Sequence, residues 1–180
     1  MIESHLILSY VFNFIGLATF ILTFLLKGKK MGLILFLNSC GNVLIGFAYL
    51  LGGNGINGAI SSFLGGAQAI IIYLFEKREK DLPKWLIAIF IVSFIGVNLW
   101  VGQISWFTLL AVAACMCGVL QLIQKSGKTY RIWAMGNCLI WSVYDICTQS
   151  YGGLIIHLTL MAFNVVGMIW HDRKKQEKNA

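Results

Sequence analysis

Charge is scarce in this chain: 12% of its 180 residues are charged, whereas 58% are hydrophobic, and the mean hydropathy is +0.79. Such a composition lies outside the range of ordinary soluble domains. The hydrophobic residues fall into seven runs, each near the roughly 20 residues that cross a bilayer as a helix. These runs are residues 6–26, 32–51, 57–75, 85–101, 104–123, 132–147 and 153–170. The composition therefore predicts an all-α integral membrane protein with seven transmembrane helices.

Proline is nearly absent, and cysteine follows no functional pattern. The single proline, Pro83, lies between two runs, so any bend within a run would have to use a glycine such as Gly16, Gly41 or Gly46. The five cysteines are odd in number and show no CxxC spacing, which argues against a disulfide framework or a zinc site. HExxH, GxSxG and paired-carboxylate motifs are also absent. We therefore expect neither an enzyme nor a bound cofactor or metal.

Positive charge is confined to four short segments. They contain Lys27, Lys29 and Lys30; Lys77, Arg78, Lys80 and Lys84; Lys125, Lys128 and Arg131; and Arg173, Lys174, Lys175 and Lys178. If the amino terminus is outside, all four lie on the cytoplasmic side, and the opposite loops, 52–57, 102–105 and 148–152, carry no charge. This asymmetry follows the positive-inside rule and predicts a cytoplasmic carboxyl terminus. These basic segments, which give the chain a net charge of +7, are then expected to contact anionic lipids and not nucleic acid.

The first run is expected to stay in the mature chain. No positively charged segment precedes it and no small-residue cleavage site follows it, so it is predicted to be a span and not a signal peptide.

The chain also repeats itself. A shift of 95 positions places Gly41-Asn42 on Gly136-Asn137, Tyr49 on Tyr144 and Gly58 on Gly153. Because each matching segment holds three spans and one span lies between them, the two halves are expected to point the same way, around an axis along the membrane normal. The prediction is a 3+1+3 arrangement: a first bundle at 1–82, a linker helix at 83–103 and a second bundle at 104–180.

Polar side chains recur inside the runs, where each is costly to place in hydrocarbon. Their positions along the helices sort them into two layers. The layer near mid-membrane, predicted to bind a solute, comprises Asn42, Asn137, Trp141, Gln68 and Asn164. The layer nearer the outer surface, predicted to gate the cavity, comprises Tyr49, Tyr144, Asp145, His157 and Ser61. Amides suit hydroxyl-rich or heterocyclic solutes, and an indole offers a flat face for a ring.

Each of these assignments has a structural alternative. Amides in membrane helices often only hold helices together, and the tyrosines could equally belong to the interfacial aromatic belt. Asp145 and His157 are the only ionisable side chains placed well within runs, and we expect them to contact each other. This pair either serves a proton-coupled step or only locks the outer ends of the last two spans.

The 3+1+3 plan resembles that of the SWEET and PnuC-like transporters. The sequence itself is more similar to the YgjV-type bacterial inner membrane proteins, in Gly152-Gly153, in the following helix through Asn164, and in Ile169-Trp170 with basic residues behind. The Pro-Gln loop pattern of the wider superfamily is missing here. The resemblance to the YgjV-type proteins implies an inner membrane location. The resemblance to the wider transporter group implies a possible trimer.

These observations predict a transporter that moves a small neutral polar solute by alternating access between the two bundles. By resemblance, the solute is a sugar or a nucleoside-like or vitamin-like heterocycle. The alternative is a membrane receptor or assembly protein on the same fold, since a fold does not determine a function.

Overall fold

Seven helices account for the regular structure in this computed structural model, which describes residues 2–25, 31–53, 55–102, 104–124 and 127–169. They are α1 (Ile2–Leu25), α2 (Met31–Gly52), α3 (Ile56–Lys77), α4 (Lys84–Gly102), α5 (Trp106–Leu122), α6 (Gly127–Cys147) and α7 (Tyr151–Gly167). The prediction of an all-helical chain with seven helices is confirmed for the described residues. The predicted basic residues at 27–30, at 125 and at 173–178 lie outside them.

Four helices, α1 to α4, are long and apolar enough to cross a membrane. Helices α5 and α7 are apolar but shorter, at 17 residues each. Helix α6 has 21 residues, but its sequence includes Lys128, Arg131 and Asp145. Large apolar side chains such as Phe14 and Val92 are exposed on the outside of the bundle, as lipid contact requires. The architecture is that of a membrane protein.

The helices pack as two groups of three with α4 between them. Helix α2 packs against α1 and α3, and α6 packs against α5 and α7. Helix α4 contacts α3 and α5, while the two groups meet directly where α1 contacts α7 and α3 contacts α5. We call the space between the two groups the seam. The end of the bundle that carries Lys77, Arg78 and Lys84 is called the basic end.

Small residues let α2 and α3 approach closely. A Cβ atom on Gly46 would lie 2.8 Å from the ring of Phe63, and one on Gly58 would lie 2.9 Å from the ring of Tyr49. Neither distance leaves room for a side chain, and small residues at such contacts are the usual means of close packing between membrane helices. Gly46 therefore brings two helices together, and Tyr49 is held against the first turn of α3.

The turn after α6 fixes the end of that helix. Gln149 has a left-handed φ of 57°, and the amide of Ser150 donates to the carbonyl oxygen of Asp145 at 2.8 Å. This is a common way to satisfy the last carbonyls of a helix. It places Asp145 in the last turn of α6, next to the beginning of α7.

Candidate functional site

A cavity of about 170 Å³ lies in the seam. A single water takes up roughly 10–15 Å³ of such cavity volume, so the cavity has room for a small solute. All five residues predicted to bind a solute line it: Asn42, Gln68, Asn137, Trp141 and Asn164. They come from α2, α3, α6 and α7, so both groups of helices contribute. We call this space the central cavity.

The asparagines of the central cavity use their amide nitrogens within the protein. Asn42 Nδ2 donates to the carbonyl of Asn38 at 2.8 Å, Asn137 Nδ2 to the carbonyl of Ala114 at 2.7 Å, and Asn164 Nδ2 to that of Leu160 at 2.9 Å. A carbonyl oxygen can only accept, so these partners fix which amide atom is the nitrogen. Each amide nitrogen carries two N–H donors. Asn42 uses its second one on Asn38 Oδ1 at 2.8 Å, so Asn137 and Asn164 keep a second N–H beside the side-chain oxygen. Asn164 Oδ1 is buried and has no hydrogen-bond partner among the described residues.

The predicted outer layer is divided between the cavity wall and the space behind it. Tyr49, Ser61 and His157 line the central cavity, whereas Tyr144 and Asp145 do not. Tyr144 is 1% exposed and Asp145 is 0% exposed. Because Tyr49 is also buried, the alternative that these two tyrosines belong to an interfacial belt is wrong.

Three side chains form a hydrogen-bonded cluster at the end of the cavity away from the basic end. The Tyr49 hydroxyl donates to Asp145 Oδ1 at 2.5 Å, and His157 Nδ1 lies 2.7 Å from Asp145 Oδ2. We call Tyr49, Asp145 and His157 the closing cluster. It joins α2, α6 and α7, and it confirms the predicted contact between Asp145 and His157.

Aromatic packing supports the closing cluster from the cavity side. The Trp141 indole stacks on the His157 ring at a centroid distance of 5.8 Å and an interplanar angle of 11°. It meets Tyr144 edge to face at 5.1 Å. One face of Trp141 is therefore covered by the imidazole, which leaves less of the indole for a solute ring than the sequence suggested.

Ser61 is hydrogen-bonded to Asn98, which is not among the predicted site residues. Asn98 on α4 donates to Ser61 Oγ at 3.0 Å and to the carbonyl of Phe94 at 2.8 Å, and it is fully buried. A lone amide in an apolar run was the available signal, but Asn98 lies in the linker helix, outside the repeat that directed attention to the other amides. Its role here is to attach α4 to α3.

A second, smaller pocket lies beyond the closing cluster. It measures about 30 Å³, enough for one or two waters. Tyr49 lines this pocket together with Ser9, Gly52 and Ser150, and Tyr49 lines the central cavity as well. We call it the end pocket. The Tyr49 side chain thus lies between the two spaces.

In the other direction the central cavity reaches the basic end. Its wall includes Thr23, two residues before the end of α1, Leu122 at the end of α5, and Tyr130 in the first turn of α6. The cavity therefore extends from the closing cluster to the ends of helices at the basic end.

Together, the fold and the cavity define a polytopic helical membrane protein with a polar chamber between two groups of helices. The chain matches the Imp-YgjV family, described as bacterial inner membrane protein, over residues 7–175, and it belongs to that family. Its location is accordingly the bacterial inner membrane. No curated protein matches the chain, and no solved structure does. The likeness in plan to the SWEET and PnuC-like transporters stays a prediction.

Proposed function

We propose that the protein is a transporter that moves a small neutral polar solute across the inner membrane. The observation that carries this proposal is the central cavity, in which buried amides from both groups of helices surround one space. Amides that only held helices together would each need a partner helix and no common void. Asn164 lines the cavity, and its buried oxygen has no hydrogen-bond partner among the described residues, so a solute that reaches this oxygen would supply the missing bond.

The proposed mechanism is alternating access between two like-facing bundles, residues 1–82 and 104–180, with 83–103 as the linker. Contacts that cross the seam support this arrangement. The Tyr144 hydroxyl accepts from the amide of Gly58 at 3.1 Å, and a Cβ atom on Gly153 would lie 2.8 Å from the Tyr49 hydroxyl. The shift of 95 that matches Tyr49 to Tyr144 also matches Gly58 to Gly153. Each tyrosine thus reaches the first turn of the third helix in the opposite bundle, as a two-fold axis requires.

The chemistry of the cavity narrows the class of solute. The asparagines of both bundles each donate one N–H to a backbone carbonyl, so they offer a solute their acceptor oxygens and, at Asn137 and Asn164, a second N–H donor. A matching solute presents O–H or N–H groups, as a sugar or a nucleoside-like or vitamin-like heterocycle does. The solute needs no formal charge, because the five residues predicted to bind it are neutral.

The proposed topology has the amino terminus outside and the basic end in the cytoplasm, against anionic lipids. In that orientation the central cavity extends toward the cytoplasm and the closing cluster lies on the outer side. The structure then corresponds to the state that has released or is about to receive a solute on the cytoplasmic side.

The test begins with a thermal-shift screen of sugars, nucleosides and vitamins against the detergent-purified protein. A bound solute raises the melting temperature by mass action, by an amount that grows with its concentration. Each stabilising compound is then measured, radiolabelled, for uptake into proteoliposomes. Saturable uptake of a compound that also stabilises the protein is the expected result. Stabilisation without uptake would favour a receptor and contradict transport.

A further inference from the structure

The closing cluster connects two separate spaces. Tyr49 lines the end pocket and the central cavity, and its hydroxyl is bonded to the buried carboxylate of Asp145. The other oxygen of that carboxylate contacts His157, which lines the central cavity. A continuous chain of polar contacts therefore runs from the end pocket through Tyr49 and Asp145 to His157 and the cavity.

Among the residues that the structure describes, few titratable groups face this cluster. The titratable side chains that face Asp145 are Tyr49 from α2, Tyr144 on its own helix α6, and His157 from α7. Cys115 of α5 faces Tyr144. Among the described residues, the ion partner of Asp145 is His157 and not a lysine or arginine. Imidazole is the side chain whose charge ordinarily changes between pH 5 and 8.

We propose that Asp145 and His157 form a proton-binding site, and that loading it releases the bond from Tyr49 and opens the central cavity toward the end pocket. The proton is the coupling ion that would accompany the solute. The inference rests on the proposed transport function for its purpose, but its test needs no solute.

The direction of the effect follows from the strength of the bond from Tyr49. Without the extra proton, a carboxylate accepts from the Tyr49 hydroxyl, and such charge-assisted bonds are roughly twice as strong as neutral ones. When water delivers one proton to the pair, the result is either a neutral carboxyl group or a carboxylate matched by an imidazolium. In both cases Asp145 is a weaker acceptor for Tyr49. The proton leaves again from the imidazole on the cavity side, which restores the original pair.

The distance between Ile56 and Tyr151 reports on this opening. These residues begin α3 and α7, lie on opposite sides of the seam, are both exposed, and correspond under the shift of 95. Spin labels are attached at the two positions in a parent protein whose five cysteines are replaced by alanine, and the distance is measured by pulsed electron paramagnetic resonance at pH 8 and pH 5. We expect a longer distance component that grows on acidification.

Two variants assign the change to the cluster. Asp145→Asn and Tyr49→Phe are expected to show the longer component at both pH values, because neither retains the charged acceptor together with its donor. His5→Gln, an exposed histidine at the start of α1, serves as the matched control and keeps the response of the parent. A parent distance that does not change with pH overturns the proposal, and so does a response that persists in Asp145→Asn.

A second measurement uses the wild-type protein, in case the cysteine-free parent does not fold. His157 stacks on Trp141, and an imidazolium quenches a neighbouring indole, so Trp141 emission is expected to fall on acidification. The fall should disappear in His157→Gln and in Trp141→Phe. Emission that follows the same pH course in wild type and His157→Gln contradicts a proton site at this pair. If the protein passes this test but moves no solute, the proposed transport function alone is disproved.

Discussion

Asn164→Leu is expected to reduce solute uptake strongly and to leave the protein folded. A solute donor that loses the Asn164 oxygen is left unpaired in a buried site, at a cost of about 1–3 kcal/mol. That range corresponds to a loss of uptake at low solute concentration on the order of ten- to a hundredfold. Stability should not suffer, because leucine has as many side-chain heavy atoms as asparagine, its extra bulk can extend into the cavity that Asn164 lines, and it removes a buried acceptor that has no partner among the described residues.

The measurement is the initial rate of radiolabelled uptake into proteoliposomes, beside the melting temperature of the same preparation. Thr159→Val is the matched control on α7: this residue is partly exposed, its hydroxyl donates to the carbonyl of Ile155, and the variant should keep wild-type uptake. Uptake that is unchanged in Asn164→Leu would contradict the cavity as the solute site. A large fall in melting temperature would instead show that Asn164 holds helices together.

Gly153→Ala is expected to disrupt the closing cluster and lower the melting temperature. The added Cβ would lie 2.8 Å from both the Tyr49 hydroxyl and Asp145 Oδ1, and 2.9 Å from Asp145 Oδ2. The Tyr49 hydroxyl and the Asp145 carboxylate are hydrogen-bonded to each other, and the carboxylate also contacts His157, so these groups cannot move apart independently. Overpacking of this kind costs about 1–3 kcal/mol, which for a chain of this size lowers the melting temperature by roughly 3–10 °C.

Gly96→Ala provides the control for adding a methyl group to a helical glycine. Nothing lies within 4 Å of a Cβ at Gly96, so this variant should be neutral or slightly stabilising because alanine favours helix more than glycine. The measurement is the melting temperature of both variants and of the wild type by thermal denaturation. Equal melting temperatures for Gly153→Ala and wild type would show that α7 can shift without cost, and the cluster would then be no rigid barrier.

The helices were predictable because hydrophobicity alone dictates them. A bilayer admits backbone only when its hydrogen bonds are satisfied internally, so each long apolar run had to become a helix. The predicted runs and the observed helices agree to within a few residues, with the largest difference where α6 begins at Gly127 and not near 132. That segment includes Lys128 and Arg131, whose polarity hid the first turns of the helix.

The site was predictable only as a set of positions. The helical spacing of Asn42 and Tyr49, and their counterparts Asn137 and Tyr144, placed them on common faces before any contact was known. Spacing could not show that Tyr144 and Asp145 lie behind the cavity wall, or that Trp141 has one face against His157. It also gave no reason to select Asn98, whose partner Ser61 is on another helix.

The sequence by itself determined that the chain is helical, belongs in a membrane and carries polar residues at matching depths, because these properties depend on composition and on the period of a single helix. Tertiary structure decided which of those residues share a space. Whether an amide faces a void, a neighbouring helix or lipid depends on how helices far apart in the chain rotate against one another. The close approaches at Gly46, Gly58 and Gly153 set that rotation, and no local pattern records it.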